Sequence, residues 1–313
     1  MLYNLKKIAA INDLSGIGRC SLSVALPIIS ALKVQCCPFP TSILSSQTGY
    51  PKFTFLDLTN EMTNYYKVWK DLNVNFDCIY SGFLGSIAQI DIVSKFIEEN
   101  PNAFIVVDPI MGDDGVLYPI FNEESCLKIK ELVKLSNLTT PNLTEACFLT
   151  GRDITKRDLT RNEIVEIAKD ISKLGPDKVI ITGILEGDNI SNMAYDKTTD
   201  EIFFTSIKYN NCSYSGTGDI FTSILCAMIC RGFDLVYCVN TATNFIYKVV
   251  EYSAKFNSDR NDGIRFEEFL SDLTKIEEVI KISFFNILFP SKSYLILYIL
   301  LICSYFLYTF ISI

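Results

Sequence analysis

The chain has 313 residues, 49% hydrophobic and 20% charged, which supplies core for one large α/β domain or two small ones. Its 36 acidic and 28 basic residues give a net charge of −8, and no Lys/Arg-rich cluster occurs, which argues against nucleic acid as a partner. It has no histidine, which excludes Ser-His-Asp and Cys-His catalysis and H-E-x-x-H zinc chemistry, so any general base must be Asp, Glu, Lys, Tyr or Cys. A small anionic substrate stays compatible, because backbone dipoles bind anions locally whatever the net charge.

The N-terminus lacks a basic region followed by a long apolar one, so no signal peptide is expected. In chain order, the pattern predicts a strand over 7–12, helices over 21–32 and 57–71, a strand over 77–82, a helix over 87–99 and a strand over 104–109. Helices over 123–134, 142–150 and 160–174 follow, then a strand over 178–183, a hairpin over 191–207 and a helix over 217–231. DLTNEMTNYYKVWKDL and TRNEIVEIAKDISKL show the 3.6-residue apolar period, with Asp57 and Thr160 as capping residues in front. Continuous apolar strands alternating with amphipathic helices indicate an α/β fold: a mostly parallel sheet covered on both faces, with the hairpin as an antiparallel edge. One domain is expected over residues 1–282.

Eleven scattered cysteines without a C-x-x-C pair read as reduced thiols of a cytoplasmic protein, and Cys226 and Cys230, one helical turn apart, as small core residues. The segment 283–313 is set apart. From Ser293 to Ile313 no residue is charged, which meets the length and hydropathy of a membrane-spanning helix. Three readings stand for it: a C-terminal membrane anchor, a helix packed in an oligomer, or a frameshifted or read-through extension.

The chemistry concentrates in YSGTGDIFTSIL (214–225). Gly216, Thr217 and Gly218 at a helix start present unpaired N–H groups to an approaching anion without a Cβ in the way. Asp219 at that spot would be repelled by the anion unless it accepts a proton from an attacking hydroxyl while the N–H groups hold developing charge. The competing reading is an aspartate that merely favours the helix dipole. In TTPNLTEACFLTG (139–151), Asn142 and Glu145 stand one helical turn apart, either near a water-coordinated Mg²⁺ or as an ordinary helix cap. VVDPIMGDDG (106–115) puts Asp108 at a strand end and Asp113 and Asp114 in a Gly-rich loop, at the sheet edge where ligands bind in this architecture; ITG (181–183) ends another strand there. No G-x-x-x-x-G-K-[ST] motif is present, and GIGRCS (16–21) lacks the last glycine of a dinucleotide fingerprint.

Taken in order, AAINDLSGIGRCSLSVALPI, LSSQTGY, YSGFLGS, VVDPIMGDDGVLY, TPNLTEACFLTG and SGTGDIFTSIL resemble the pyridoxal/pyridoxamine (vitamin B6) kinases of the ribokinase superfamily, from about residue 7 to DGIRFEEFL (262–270). The related hydroxymethylpyrimidine phosphate kinases usually carry GTGC where this chain has GTGD. The resemblance implies a ribokinase-like three-layer α/β/α sandwich, a homodimer, and ATP-dependent phosphorylation of the 5′-hydroxymethyl group of pyridoxal, pyridoxamine or pyridoxine. It makes Asp219 the base and the N–H groups of Gly216, Thr217 and Gly218 the anion hole. Asp113, Tyr118, Thr140, Asn142, Thr182 and Gly183 would meet ATP, Glu145 and Asp108 the Mg²⁺ site, and Asp13, Ser15, Thr48 and Phe83 the vitamer. A monovalent cation is a further cofactor that it leaves open. Two departures bear on vitamer choice: relatives often carry His where Gln47 and Ser215 stand, while Asn12 and Gln47 can still hydrogen-bond a ring substituent. The alternatives are another ribokinase-type kinase, for hydroxymethylpyrimidine or a sugar, or a B6-binding protein without catalysis.

Overall fold

The computed structural model describes residues 5–156, 158–256 and 258–276. The predicted segment 283–313 lies outside them. The chain divides into a compact unit, Met1–Leu270, and a second one, Ser271–Ile313. In chain order the described elements are β1 (Lys7–Ser15), α1 (Ser21–Ala31), β2 (Gln35–Leu44), β3 (Phe55–Asp57), α2 (Thr59–Asp71), β4 (Cys78–Ser81), α3 (Ile87–Glu98) and β5 (Phe104–Val107). There follow a small ribbon of β6 (Gly112–Asp113) and β7 (Val116–Leu117), α4 (Glu123–Lys134), β8 (Leu138–Thr139), α5 (Leu143–Leu149) and α6 (Arg161–Leu174). Then come β9 (Lys178–Glu186), β10 (Asn189–Asp196), β11 (Glu201–Lys208), α7 (Thr217–Cys230) and α8 (Leu235–Ser253), followed by two short 3-10 turns, Arg260–Asp262 and Phe266–Phe269.

The large sheet runs β11-β10-β9-β8-β5-β4-β1-β2-β3. Its six middle strands, β9 to β2, are parallel, and the predicted hairpin forms the antiparallel edge β10–β11. The opposite edge is antiparallel as well, because β3 turns back onto β2. Helices α1, α7 and α8 pack together on one face, and α2 to α6 form the other layer. Consecutive residues of the central strands are buried on both sides: Ala9 and Ile11 in the core under α2 to α6, Ile8 and Ala10 toward the other layer.

Local chemistry starts the helices where the pattern predicts. Thr160 and Glu163 form a capping box on α6, and Asn142 and Glu145 form one on α5. For α2 the structure corrects the expectation. Asp57 ends β3 and accepts the N–H of Thr59, while the N-cap position is Leu58. The ten cysteines among the described residues are free thiols.

The largest aromatic cluster centres on Phe39 of β2, fully buried against Tyr65, Tyr66, Trp69 and Phe96 at ring distances of 5.4 to 6.5 Å. Phe39→Ala should therefore lower unfolding free energy by about 3–5 kcal/mol, measured by urea denaturation. A loss under ~1 kcal/mol would show that the helices collapse into the gap.

Candidate active site

The parallel strands end at one edge of the sheet, and the predicted residues are collected there. β1 supplies Asn12, Asp13 and Ser15. The β1–β2 register slips between Asn12 and Leu14: β2 advances three residues, Pro40 to Ile43, while β1 advances two, so the extra residue of the bulge lies in β2 opposite Asp13. In a regular strand the side chains of Asn12 and Asp13 would point to opposite faces. Here Asn12 reaches Asp219 and Asp13 reaches Ser21, whose own N–H holds Asp219.

Asp219 lies in the first turn of α7 and is 8% exposed. Its Oδ2 accepts the Ser21 N–H at 2.8 Å, and its Oδ1 accepts the Asn12 amide at 3.1 Å and the Tyr80 hydroxyl at 3.4 Å. Burial, and after it the charge of Asp13, raises its carboxyl to about 6 despite these donors. Asp13 accepts the hydroxyls of Ser21 at 2.5 Å and Ser15 at 2.8 Å, and burial raises its carboxyl too. Burial and the nearby charge of Asp219 raise Asp108, after β5, to about 7. Thr222, one helical turn after Asp219, reaches Asp108 at 3.5 Å and Thr140 at 3.1 Å.

The start of α7 is a helix N-terminus without a side-chain cap. Its N-cap, Gly216, has φ +80° and contributes no side-chain cap. A Cβ on Gly216 would stand 1.9 Å from the Arg19 carbonyl oxygen, so only glycine lets the turn close there. A Cβ on Gly218 would meet nothing within 4 Å. Thr217 and Gly218 stand with Asp219 in the first turn of α7, where backbone N–H groups have no partner within the helix.

The second group of predicted residues surrounds α5. Asn142 donates its side-chain amide to the Gly112 carbonyl at 2.8 Å, which holds the β6–β7 ribbon with Asp113 against α5. Glu145, 4% exposed, accepts the N–H groups of Met111 at 3.0 Å and Asn142 at 2.9 Å; burial, and then Asp108, raises it well above the usual carboxylate range. The Tyr118 N–H bonds the Met111 carbonyl at 2.9 Å. Thr182 and Gly183 fall in a bulge between β9 and β10; the Thr182 N–H bonds the Pro141 carbonyl, and Gly183 takes φ +70°.

Two of the residues expected at the vitamer stand differently. Thr48 is exposed in the turn after β2, with no bond to the other predicted residues among the described contacts. Phe83 ties its N–H to Asn12 at 3.0 Å, but its ring packs edge-on against Phe121 at 6.2 Å. The structure also corrects the expectation for Asn12. Its side chain is fully buried, accepts the N–H groups of Asp13 and Phe83, and donates to Asp219, so it is engaged with the protein instead of open to a ring substituent. Gln47 is likewise engaged, with Asn261 and the Gly49 N–H. Ser21, Tyr80 and Thr222 escaped sequence reasoning. Only Thr222 carried a signal, its one-turn spacing from Asp219.

Helix N–H groups without a side-chain cap beside a buried carboxylate, at the C-terminal edge of a parallel sheet, suit a small-molecule kinase of ribokinase-like fold. Residues 26–263 match the phosphomethylpyrimidine kinase family, and the chain belongs to that family. A putative phosphomethylpyrimidine kinase from Bacteroides thetaiotaomicron, solved with pyridoxal, is 40% identical, covers 86% of this chain and 96% of its own, and superposes with a TM-score of 0.83. A pyridoxal kinase from Lactobacillus plantarum is 26% identical over 88% of this chain and 99% of its own, with a TM-score of 0.80. The pyridoxine kinase of Bacillus subtilis is 29% identical over 189 residues, 59% of this chain and 67% of its own length. The resemblance to the pyridoxal kinases is thereby borne out, as is the three-layer fold.

Proposed function

We propose that the protein transfers the γ-phosphoryl group of ATP to the 5′-hydroxymethyl group of pyridoxal, pyridoxamine or pyridoxine. The observation that carries this reading is Asp219, a buried carboxylate fixed by three donors beside the open N–H groups of α7. Asp219 accepts the hydroxyl proton as that oxygen attacks phosphorus, and the N–H groups of Gly216, Thr217 and Gly218 hold the charge that develops. Asp13 and Ser15 orient the vitamer, with Thr48 and Phe83 beside them. Asp113, Tyr118, Thr140, Asn142, Thr182 and Gly183 border the nucleotide. The pyridoxal bound by the Bacteroides relative and the name of the Bacillus one support the substrate class.

Mg²⁺ fits this site. Asp108, Glu145 and Asp219 are buried carboxylates whose proton affinity is raised by burial and by a neighbouring carboxylate, so a cation would relieve their repulsion. Among the described residues no group of three or more His, Cys, Asp or Glu is placed to hold a metal alone. The ion is thus expected to arrive with the nucleotide, taking phosphate and water oxygens and leaning on Asp108 and Glu145. When bound it neutralises phosphate charge.

A second reading, phosphorylation of hydroxymethylpyrimidine, is favoured by the family's own description. ADP release with each candidate substrate separates the two. Among the described residues no helix is long and apolar enough to cross a membrane. A homodimer acting in the cytoplasm completes the proposal; size-exclusion chromatography with light scattering tests the dimer.

The pH dependence has a definite sign. Asp219 serves as a base only when ionised, and it titrates near 6. Turnover should be flat above about pH 7 and fall as pH drops through about 6, since protonation removes the acceptor. Asp13→Asn removes one of the influences that raise Asp219, so its acid limb should move to lower pH. A pH–kcat profile checks both; a wild-type limb at or below pH 4 would contradict the assignment.

A further inference from the structure

One residue touches both Asp219 and Asp13, and the reaction outlined above leaves it unused. Ser21 is the first residue of α1, with φ +53°, a left-handed conformation uncommon outside glycine. A serine at a helix start ordinarily caps its own helix. This one does not: α1 has no side-chain cap, and both polar groups of Ser21 point to other elements. Its N–H donates to Asp219 Oδ2 at 2.8 Å, and its hydroxyl donates to Asp13 Oδ1 at 2.5 Å. Ser21 is 6% exposed, so water does not compete freely for either bond. In this left-handed turn one residue aims its backbone N–H at α7 and its side chain at Asp13 of β1.

We propose that Ser21 is a positioning residue that fixes the proton acceptor and the vitamer-binding carboxylate through two separate groups, its N–H holding Asp219 and its hydroxyl holding Asp13. This inference rests on the kinase reading above. The two roles can be separated by substitution. Ser21→Gly keeps the N–H and adopts a positive φ without strain, so Asp219 keeps its donor. It deletes only the hydroxyl, leaving Asp13 with Ser15 on its other oxygen. Losing a hydrogen bond to a charged group corresponds to roughly a tenfold or larger effect.

The test is steady-state kinetics of the full chain and its Ser21→Gly variant with pyridoxal and Mg·ATP, repeated in an Asp13→Asn background. The expected result is a vitamer KM raised about tenfold, kcat within about threefold, and an unchanged KM for ATP. In the Asp13→Asn background the glycine should add little, because the acceptor it serves is already altered. Three results would overturn the proposal: an unchanged vitamer KM, a fall of kcat with a rise of both KM values as from a general loss of structure, or a full additional effect in the Asp13→Asn background. Wild-type protein that turns over no B6 vitamer would overturn the kinase reading and this inference with it. Wild-type turnover with an insensitive Ser21→Gly variant would overturn this inference alone.

Discussion

Asp219→Asn should leave the protein folded and lower kcat by about 10²–10⁴, the range expected when a positioned base is removed. The shape of the side chain is kept, so packing at the start of α7 is preserved. The new amide must place its NH₂ toward either the Ser21 N–H or the Asn12 and Tyr80 donors, a mismatch of about 1–3 kcal/mol. Removing a buried carboxylate that repels Asp13 and Asp108 offsets part of that cost. The unfolding midpoint should therefore shift little while turnover collapses. Retained turnover in a folded Asp219→Asn protein would mean that the proton leaves by another route.

The two glycines of the same turn should respond in opposite ways. Gly216→Ala must hold φ near +80° and put a methyl group 1.9 Å from the Arg19 carbonyl. The left-handed conformation costs roughly 1–2 kcal/mol and the overpacking another 1–3, a large share of a typical stability of about 5–15. This variant should melt well below wild type. Gly218→Ala meets nothing within 4 Å of its new methyl and sits inside a helix, where alanine is favoured by about 1 kcal/mol. It should be as stable as wild type or more so. In the proposed reading a phosphate approaches the N–H groups of this turn, and a methyl there would obstruct it, so the KM for ATP should rise at least about tenfold. Thermal melts and ATP titrations of the two variants check the contrast. An unchanged ATP KM in Gly218→Ala would remove the anion hole from the account.

Much of this architecture was readable before the structure. The strand and helix alternation pointed to the parallel sheet, and the cluster 216–219 marked the candidate site, because an aspartate beside two glycines at a helix start suits anion chemistry. β2 was missed because Pro38 and Pro40 argue against a central strand. The structure shows how they are tolerated. The Pro38 carbonyl accepts the Tyr65 hydroxyl, so that side of the residue faces away from β1; Pro40 shares its parity, and β3 covers only Ser42–Leu44. The missing N–H groups thus fall on an open stretch of edge. α8 was missed for a different reason. LVYCVNTATNFIYKVVEYS is rich in β-branched and aromatic residues, which read as strand, and packing against α7 and the β10–β11 edge overrides that preference. Ser21 and Tyr80 could not be read as site residues, since their roles come from a left-handed turn and from a strand neighbour far away in sequence.

The most direct test of the account is ADP release by the full chain with Mg·ATP and, separately, pyridoxal, pyridoxamine, pyridoxine and hydroxymethylpyrimidine. The account predicts turnover with at least one B6 vitamer that disappears in Asp219→Asn. Turnover with hydroxymethylpyrimidine alone, or none with any of the four from folded protein, would contradict it.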